Sequence, residues 1–285
     1  MSFKYAGFTV MMPEFTVQES AALLKELGYD GVEWRVHSVP SESSRADFWG
    51  GNKATIGIDT IEDTAASIKQ LCDDSGLEIL GLGTYLSYKM LDEIERCMVA
   101  AKTMGCQSIR ISTPKYDGSE NYNDLLDAAI DGFAKVETLA QKYGVRANIE
   151  LHNGCITSSA SAAYRLVSEF DPDSFGVILD PGNMIYEGHE NWQMAMELLG
   201  PYLAHVHVKN AAWVQCDTKD DVKNWKSKIV SVKEGIVSWK DILTALNNVG
   251  YTGWLSVEDF APGDTKSKLA QDLQYLKSIE AELGA

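Results

Sequence analysis

The chain has 285 residues, of which 45% are hydrophobic and 23% charged, so it can bury one large core. Its formal net charge of −16 repels the phosphate backbone of nucleic acids and argues against such a partner. No stretch approaches the roughly 20 consecutive apolar residues of a membrane span, and the amino terminus lacks the pattern of a signal peptide. The five cysteines are an odd number without a CxxC pair, which favours a reduced, cytoplasmic location.

A repeated unit runs along the chain, in which a helical stretch is followed by a glycine and then by an apolar run. The glycine stands where a helix needs a residue with positive φ in order to end. The run after it is rich in β-branched and apolar residues, as expected of a strand that is buried on both faces. The repeated glycines are Gly28, Gly76, Gly105, Gly144, Gly200 and Gly250.

This repeat predicts eight strands that alternate with eight helices. The strands are expected near residues 5–11, 31–36, 77–82, 107–111, 145–151, 175–180, 203–208 and 253–259. The helices are expected near residues 17–27, 60–75, 89–104, 122–143, 158–169, 191–199, 238–248 and 266–282. Alternation without hairpin signals predicts a parallel sheet. Eight units favour an α/β fold with a single (β/α)8 TIM barrel over residues 1–285, and an open doubly wound sheet is the alternative.

Two connections are longer than ordinary loops of such a barrel. They are residues 37–59, after the second strand, and residues 210–237, after the seventh. Both follow the carboxyl ends of strands, the face on which barrels place their active sites. Long loops on that face typically act as lids or as walls of a substrate site, and the alternative is that these segments are decorations without function.

Polar residues recur at the last positions of four predicted strands. Because side chains alternate along a strand, Glu150 and His152 share a face, and so do His205 and His207. The residues between them are apolar and suit the side that faces the helices. The polar sets are therefore expected to point into the barrel.

Barrel interiors are normally filled by Val, Ile and Leu, so clustered carboxylate and imidazole groups need something that pairs with them. One divalent cation would satisfy Glu150, Asp180, His207 and Glu258 together. Three oxygens and one nitrogen favour Mn²⁺ first, with Mg²⁺, Co²⁺ or Zn²⁺ as alternatives. Two histidines in one strand are more often structural than metal-binding, so the prediction depends on four strands that end alike.

Five runs, in this order, carry a likeness to a known family: GYDGVEWRV, NIELHNG, VILDPGNM, HVHVKN and GWLSVEDF. They span essentially the whole chain, which resembles the sugar phosphate isomerase/epimerase family of xylose isomerase-like barrels. The resemblance implies that Glu150, Asp180, His207 and Glu258 are the metal ligands. It also implies that the two glutamates act as an acid/base pair on opposite faces of a bound sugar. Asn183 stands where several sugar epimerases of the family carry a histidine.

Further candidates surround this predicted centre. His152 is a candidate to contact a substrate oxygen or to act as a third acid/base group, and the alternative is a structural histidine. His205 lies one layer deeper and either orients a metal ligand through its second nitrogen or is simply a buried, hydrogen-bonded histidine. Candidates for substrate contacts are Lys209, Asn183, His37, Arg35 and Tyr85, and Trp34 and Trp49 either wall the pocket or belong to the core.

The predicted reaction is removal of a proton beside a carbonyl through an enediolate, by a metal-dependent isomerase or epimerase of a sugar or sugar derivative. A lyase or dehydratase that acts on a keto-sugar, an inosose or a 3-keto-glycoside would use the same metal and base. An endonuclease of the same superfamily is disfavoured because the chain has five histidines and a charge of −16. A non-catalytic binding protein is the remaining alternative. The expected partner is a small sugar, with no nucleic acid or membrane, and a homo-oligomer is possible.

Overall fold

A computed structural model describes residues 2–39 and 45–284. Its strands are β1 (Lys4–Phe8), β2 (Gly31–His37), β3 (Ile56–Gly57), β4 (Glu78–Gly83), β5 (Ser108–Arg110), β6 (Arg146–Glu150), β7 (Phe175–Leu179), β8 (Leu203–Val208), β9 (Asn210–Lys219), β10 (Val222–Val230) and β11 (Trp254–Val257). Eight of them form one parallel sheet in the order β1-β2-β4-β5-β6-β7-β8-β11. Pairing of β11 with β1 closes this sheet into a barrel, so the predicted (β/α)8 TIM barrel is confirmed.

The helices surround the barrel in the predicted alternation. They are α1 (Val17–Leu27), α2 (Ile61–Ser75), α3 (Leu91–Met104), α4 (Tyr122–Tyr143), α5 (Ala160–Val167), α6 (Pro181–Glu187), α7 (Trp192–Leu199), α8 (Trp239–Asn248) and α9 (Thr265–Gly284). The short helix α6 is absent from the sequence prediction. Across residues 2–39 and 45–284, no helix combines the length and the apolar character that a membrane crossing requires.

The repeated glycines end helices as their positions predict. All six have positive φ. At Gly28, φ is +81° and the backbone N–H donates to the carbonyls of Leu24 and Lys25 in the last turn of α1. A side chain at such a φ is strained, which explains why glycine recurs at this point of each unit.

The main core lies between the barrel and its helices, and the barrel interior is unusually polar for this fold. Trp34 of β2 is fully buried and packs within the hydrophobic core. This tryptophan therefore belongs to the core and not to a pocket wall. On the interior side, Glu33, His205 and Ser256 are each at most 2% exposed.

The segment 210–237 contains an antiparallel hairpin of β9 and β10, so its prediction as a loop is wrong. The turn between the strands is made by Asp220 and Asp221, whose φ values are +51° and +60°. Aspartate tolerates this backbone conformation, and a two-residue turn of this kind matches the twist of the flanking strands. The strands are mostly exposed and lack an apolar alternation, which is why the pattern did not suggest strands. Trp213 anchors the hairpin because its indole N–H donates to the carbonyl of Ile185 in α6, at 2.9 Å.

The segment 37–59 is more ordered than a plain connection. β2 extends to His37, and β3 pairs with the end of β2. Residues 40–44 lie outside the described residues. The remainder, 45–55, is held against the barrel by Asn52, whose amide donates to the carbonyl of Val10 at 2.8 Å.

Two carboxyl groups, Asp259 after β11 and Asp272 on α9, lie together in a buried place. Asp272 is 3% exposed, and its Oδ2 has no hydrogen-bond partner among the described residues. Burial raises the pKa of Asp272 to about 8, and the neighbouring Asp259 carboxylate adds to the rise. The folded chain therefore holds a proton here that an unfolded Asp, with a pKa near 3.9, would release.

Because the folded pKa is raised, this group costs stability as the pH rises from the unfolded value towards 8. Asp272→Asn removes the ionisation. Between about pH 5 and pH 8, the free energy of unfolding of the variant should rise relative to that of the wild type by on the order of 3 kcal/mol. Urea denaturation at each pH measures this difference. Asp131→Asn, at an exposed position of α4, is the control and should show no such trend. A parallel pH dependence of wild type and Asp272→Asn would contradict the raised pKa.

Candidate metal centre

Four acidic or imidazole side chains meet at the carboxyl ends of adjacent strands. Glu150 ends β6, Asp180 follows β7, His207 lies near the end of β8 and Glu258 follows β11. One ligand atom of each lies within 4.8 Å of the others, and all four residues are buried. Nδ1 of His207 faces all three carboxylates, at 3.0 Å from Glu150, 3.8 Å from Asp180 and 3.7 Å from Glu258.

Local structure aims these groups inward. In β8, Val206 and Val208 pack into the hydrophobic core, so strand alternation turns His207 to the interior. Asp180 is the N-cap of α6, and its Oδ1 accepts the backbone N–H of Asn183 at 2.8 Å. Capping occupies that oxygen, and the other oxygen, Oδ2, faces His207.

The donor set fits a divalent cation. Three carboxylates and one imidazole share a buried point, where like charges repel unless a cation lies between them. Burial raises the pKa of Glu258, and Glu150 and Asp180 add to the rise. Oδ and Oε donors with one nitrogen suit a hard or borderline ion.

Arg110 is the member of this site that the sequence analysis missed. It ends β5, and its Nη1 donates to Oε2 of Glu150 at 2.7 Å. The guanidinium also lies 4.6 Å from the ring centroid of Tyr85. Burial acts to raise the pKa of Glu150, but Arg110 and His207 outweigh it and hold that pKa well below its usual range. Arg110 is a polar residue at the end of an apolar strand, and this signal also marks the four other residues.

Lys209 and Asn183 complete the shell of partners. Nζ of Lys209 donates to Oδ2 of Asp180 at 2.7 Å and lies 2.5 Å from Oε2 of Glu258, without hydrogen-bond geometry to the latter. The amide of Asn183 donates to Asp180 at 2.8 Å and to Glu150 at 3.4 Å. Asn183 therefore contacts two of the four clustered residues and does not line the cavity above them.

A cavity of about 480 Å³ opens above these residues, and Glu150, Glu258 and Lys209 are part of its lining. Its lining also includes the aromatic residues Trp49, Tyr85 and Phe260 and the polar residues Ser112, Thr113 and Lys115. Aromatic and polar groups together suit a sugar, whose C–H faces stack on rings while its hydroxyls need hydrogen bonds. A cavity of about 660 Å³ at the opposite end of the barrel has Glu197 as its one charged lining residue.

A sequence model described as a xylose isomerase-like TIM barrel matches residues 21–279. The chain belongs to this family. The inosose dehydratase of Geobacillus thermodenitrificans is 25% identical over 159 residues, which are 52% of each chain. The chain thus matches about half the length of the first curated relatives. These relatives are enzymes by name, which supports the prediction that the chain is an enzyme.

Two solved structures share the fold. The 3-keto-D-glucoside 4-epimerase YcjR from E. coli superimposes with a TM-score of 0.73 and 16% identity, covering 97% of this chain and 100% of that one. The IOLI protein with a bound zinc atom gives a TM-score of 0.74 and 17% identity, covering 98% and 97%. At these identities the two structures support the xylose isomerase-like fold alone.

His152, predicted as a further acid/base group, lines the cavity of this family member. Its Nδ1 lies 2.7 Å from the carbonyl oxygen of Asn153, which leaves the other nitrogen for a second partner. The neighbouring Cys155 side chain raises the pKa of His152 to about 9, against the opposing effect of burial.

The three candidates around β2 have different surroundings. Arg35 is buried, and its guanidinium donates to the carbonyl of Trp49 at 2.7 Å and to the hydroxyl of Thr55. It therefore holds the segment 45–55 and does not line the cavity. His37 is exposed and packs edge-on against Tyr85, at 5.4 Å between ring centroids. Among the predicted substrate contacts, Lys209 and Tyr85 line the cavity, whereas Asn183, Arg35 and His37 do not.

Loss of Arg110 should leave the buried carboxylate of Glu150 short of a partner. Arg110→Met is expected to lower the free energy of unfolding by about 3–5 kcal/mol, measured by urea denaturation with a chelator present. Glu150→Gln added to Arg110→Met should recover part of the loss, because the unpaired charge is then gone. Lys142→Met is the control, since its pair with Glu95 is exposed and should cost at most about 1 kcal/mol. Equal costs for the buried and exposed pairs would contradict the importance of this ion pair.

Proposed function

We propose that this chain is a metal-dependent isomerase or epimerase that moves a proton at a carbon beside the carbonyl of a sugar or sugar derivative. The main support is the convergence of Glu150, Asp180, His207 and Glu258 beneath a cavity that suits a sugar. Mn²⁺ is the proposed ion, with Mg²⁺, Co²⁺ or Zn²⁺ as alternatives. A divalent ion bound there supplies a Lewis acid that stabilises negative charge on neighbouring oxygens.

The two glutamates differ in their surroundings, as a pair of acid/base groups must. Glu150 is held at both oxygens, by Arg110 at 2.7 Å and by His207 at 3.0 Å. Oε2 of Glu258 has Lys209 beside it but no hydrogen bond from the described residues. Glu258 is therefore the freer carboxylate, and we assign it the removal of the proton. In an isomerisation, Glu258 gives the same proton to the neighbouring carbon. In an epimerisation, the proton for the other face must come from a group that already carries one, and Arg110 and His207 hold Glu150 ionised. We assign this step to His152, which lines the cavity and whose pKa is raised to about 9.

A dehydratase is the second candidate, and two observations favour it. Curated relatives of this chain are named inosose dehydratases, and His152 lines the cavity close to the clustered carboxylates. In an elimination, Glu258 removes the proton, a carbon–carbon double bond forms, and the β-hydroxyl leaves with a proton from His152. The products are water and an enol or enone, so the reaction needs no oxidant or reductant.

Incubation with a panel of substrates in deuterated water separates the candidates. The panel contains ketohexoses, an inosose and 3-keto-glucosides, and products are followed by NMR. An epimerase gives a stereoisomer with deuterium at the inverted carbon, whereas a dehydratase gives loss of water. Both activities should disappear on removal of metal with a chelator and return with Mn²⁺ or Co²⁺. Full activity in protein shown to be free of metal would overturn the proposed function.

Glu258→Gln keeps the shape of the side chain and removes its ability to take a proton. Turnover on the substrate found above should fall by about 10²–10⁴-fold, while circular dichroism and thermal unfolding show a retained fold. Glu234→Gln, at an exposed position, is the matched control and should keep the wild-type rate. Wild-type turnover by Glu258→Gln would remove Glu258 from the acid/base role.

A further inference from the structure

A second group of buried polar side chains lies directly behind the candidate ligand His207. Glu33 from β2 reaches His207 with its Oε2 at 3.1 Å from Nε2. The hydroxyl of Ser256 on β11 donates to the same oxygen at 2.7 Å. Glu33 is 1% exposed and both of its partners are fully buried. Burial of a carboxylate here costs free energy of folding unless its partners stabilise it. Barrel interiors are otherwise apolar.

The two ring nitrogens of His207 face different surroundings. Nδ1 points to the carboxylates of Glu150, Asp180 and Glu258, whereas Nε2 points to Glu33. A neutral imidazole carries its proton on one nitrogen only, and an ionised carboxylate can only accept. Without an ion, both nitrogens have a carboxylate to which they can donate, at 3.0 Å for Nδ1 and 3.1 Å for Nε2. Once an ion takes the place at Nδ1, the remaining ring proton is on Nε2, where Glu33 accepts it and holds the ring in place.

We propose that Glu33 is the positioning residue of the metal centre, which fixes the tautomer and the ring orientation of His207 so that Nδ1 serves as the metal ligand. This inference rests on the proposed metal-dependent function. A carboxylate behind a ligating imidazole also makes the ligand nitrogen more basic. His205 was the candidate for this role from the sequence, but its Nε2 lies 3.5 Å from Oε2 of Glu33 and has no hydrogen-bond partner among the described residues. Glu33 is thus the group in direct contact with His207.

Three substitutions weaken the contact between Glu33 and His207 to different degrees. Glu33→Leu removes the acceptor, Glu33→Gln keeps an acceptor oxygen without the charge, and Ser256→Ala removes only the support of Glu33. Binding of Co²⁺ to the full, purified chain is measured by competition with a chromophoric chelator. We expect Kd to rise by about 10–100-fold for Glu33→Leu, by less for Glu33→Gln and least for Ser256→Ala.

Nitrogen NMR of the histidines in the chain loaded with the diamagnetic ion Zn²⁺ gives a readout that a purely structural role would not change. The chain has five histidines, so the signals of His207 can be assigned by single substitution. Wild type and Glu33→Gln should show His207 bound to the ion through Nδ1 with the proton on Nε2, whereas Glu33→Leu should show a mixture of ligation through either nitrogen. Circular dichroism verifies that each variant is folded.

The outcomes separate this inference from the proposed function. If wild type binds one Co²⁺ per chain and folded Glu33→Leu binds it with the same Kd and the same tautomer, the positioning role is wrong. Should Glu33→Leu fail to fold, an unchanged Kd for Glu33→Gln overturns the role equally. Two tightly bound ions in wild type, with one lost in a Glu33 variant, would make Glu33, His205 and His207 a second ion site and would also overturn it. A wild type that binds no divalent ion defeats the proposed function itself.

Discussion

Repulsion among three carboxylates that meet at one buried point is the constraint on which the interior of this barrel depends. Glu150, Asp180 and Glu258 lie within 4.8 Å of one another at their nearest ligand atoms, and the buried setting strengthens every charge interaction. Two buried basic side chains offset this repulsion at the edge of the cluster. Arg110 contacts Glu150, and Lys209 contacts Asp180 and Glu258. A divalent ion at the centre would complete this balance.

The barrel fold itself brings those groups to one place, because they lie on or directly after its strands. Parallel strands that close into a barrel bring all their carboxyl ends to one face, and strand alternation separates inward polar residues from outward apolar ones. Helix α6 contributes as well, because the capping bond of Asp180 fixes Oδ1 and leaves Oδ2 to face Lys209 and His207. Backbone geometry alone therefore sets most of the arrangement, and side-chain contacts refine it.

Periodic features of the sequence predicted most of this fold, since glycine stops and apolar runs depend only on neighbouring residues. The four strand-end residues were predicted for the same reason. Arg110 has the same local signal, but its role emerges only from its partner Glu150, which lies 40 positions away. Glu33 and His207 are 174 positions apart, and a contact across the barrel depends on strand register that no local pattern specifies. The hairpin of β9 and β10 was not predicted, because its strands are too polar and exposed to show the alternation of a half-buried sheet.

Strand β2 links three layers of the site through alternate residues. Glu33 contacts His207 in the interior, Arg35 holds the backbone of Trp49 beside the cavity, and His37 packs on Tyr85 at the rim. The register of β2 against β4 already shifts between Val32 and Glu33, so the strand has a defined irregularity just before these residues. A single inserted or deleted residue in β2 would move all three side chains. It would therefore disturb the contact with His207, the wall of the cavity and its rim together. A shift in register of this strand cannot alter its three contacts one at a time. Evolution of a new substrate preference in such a barrel is therefore easier through changes in the loops.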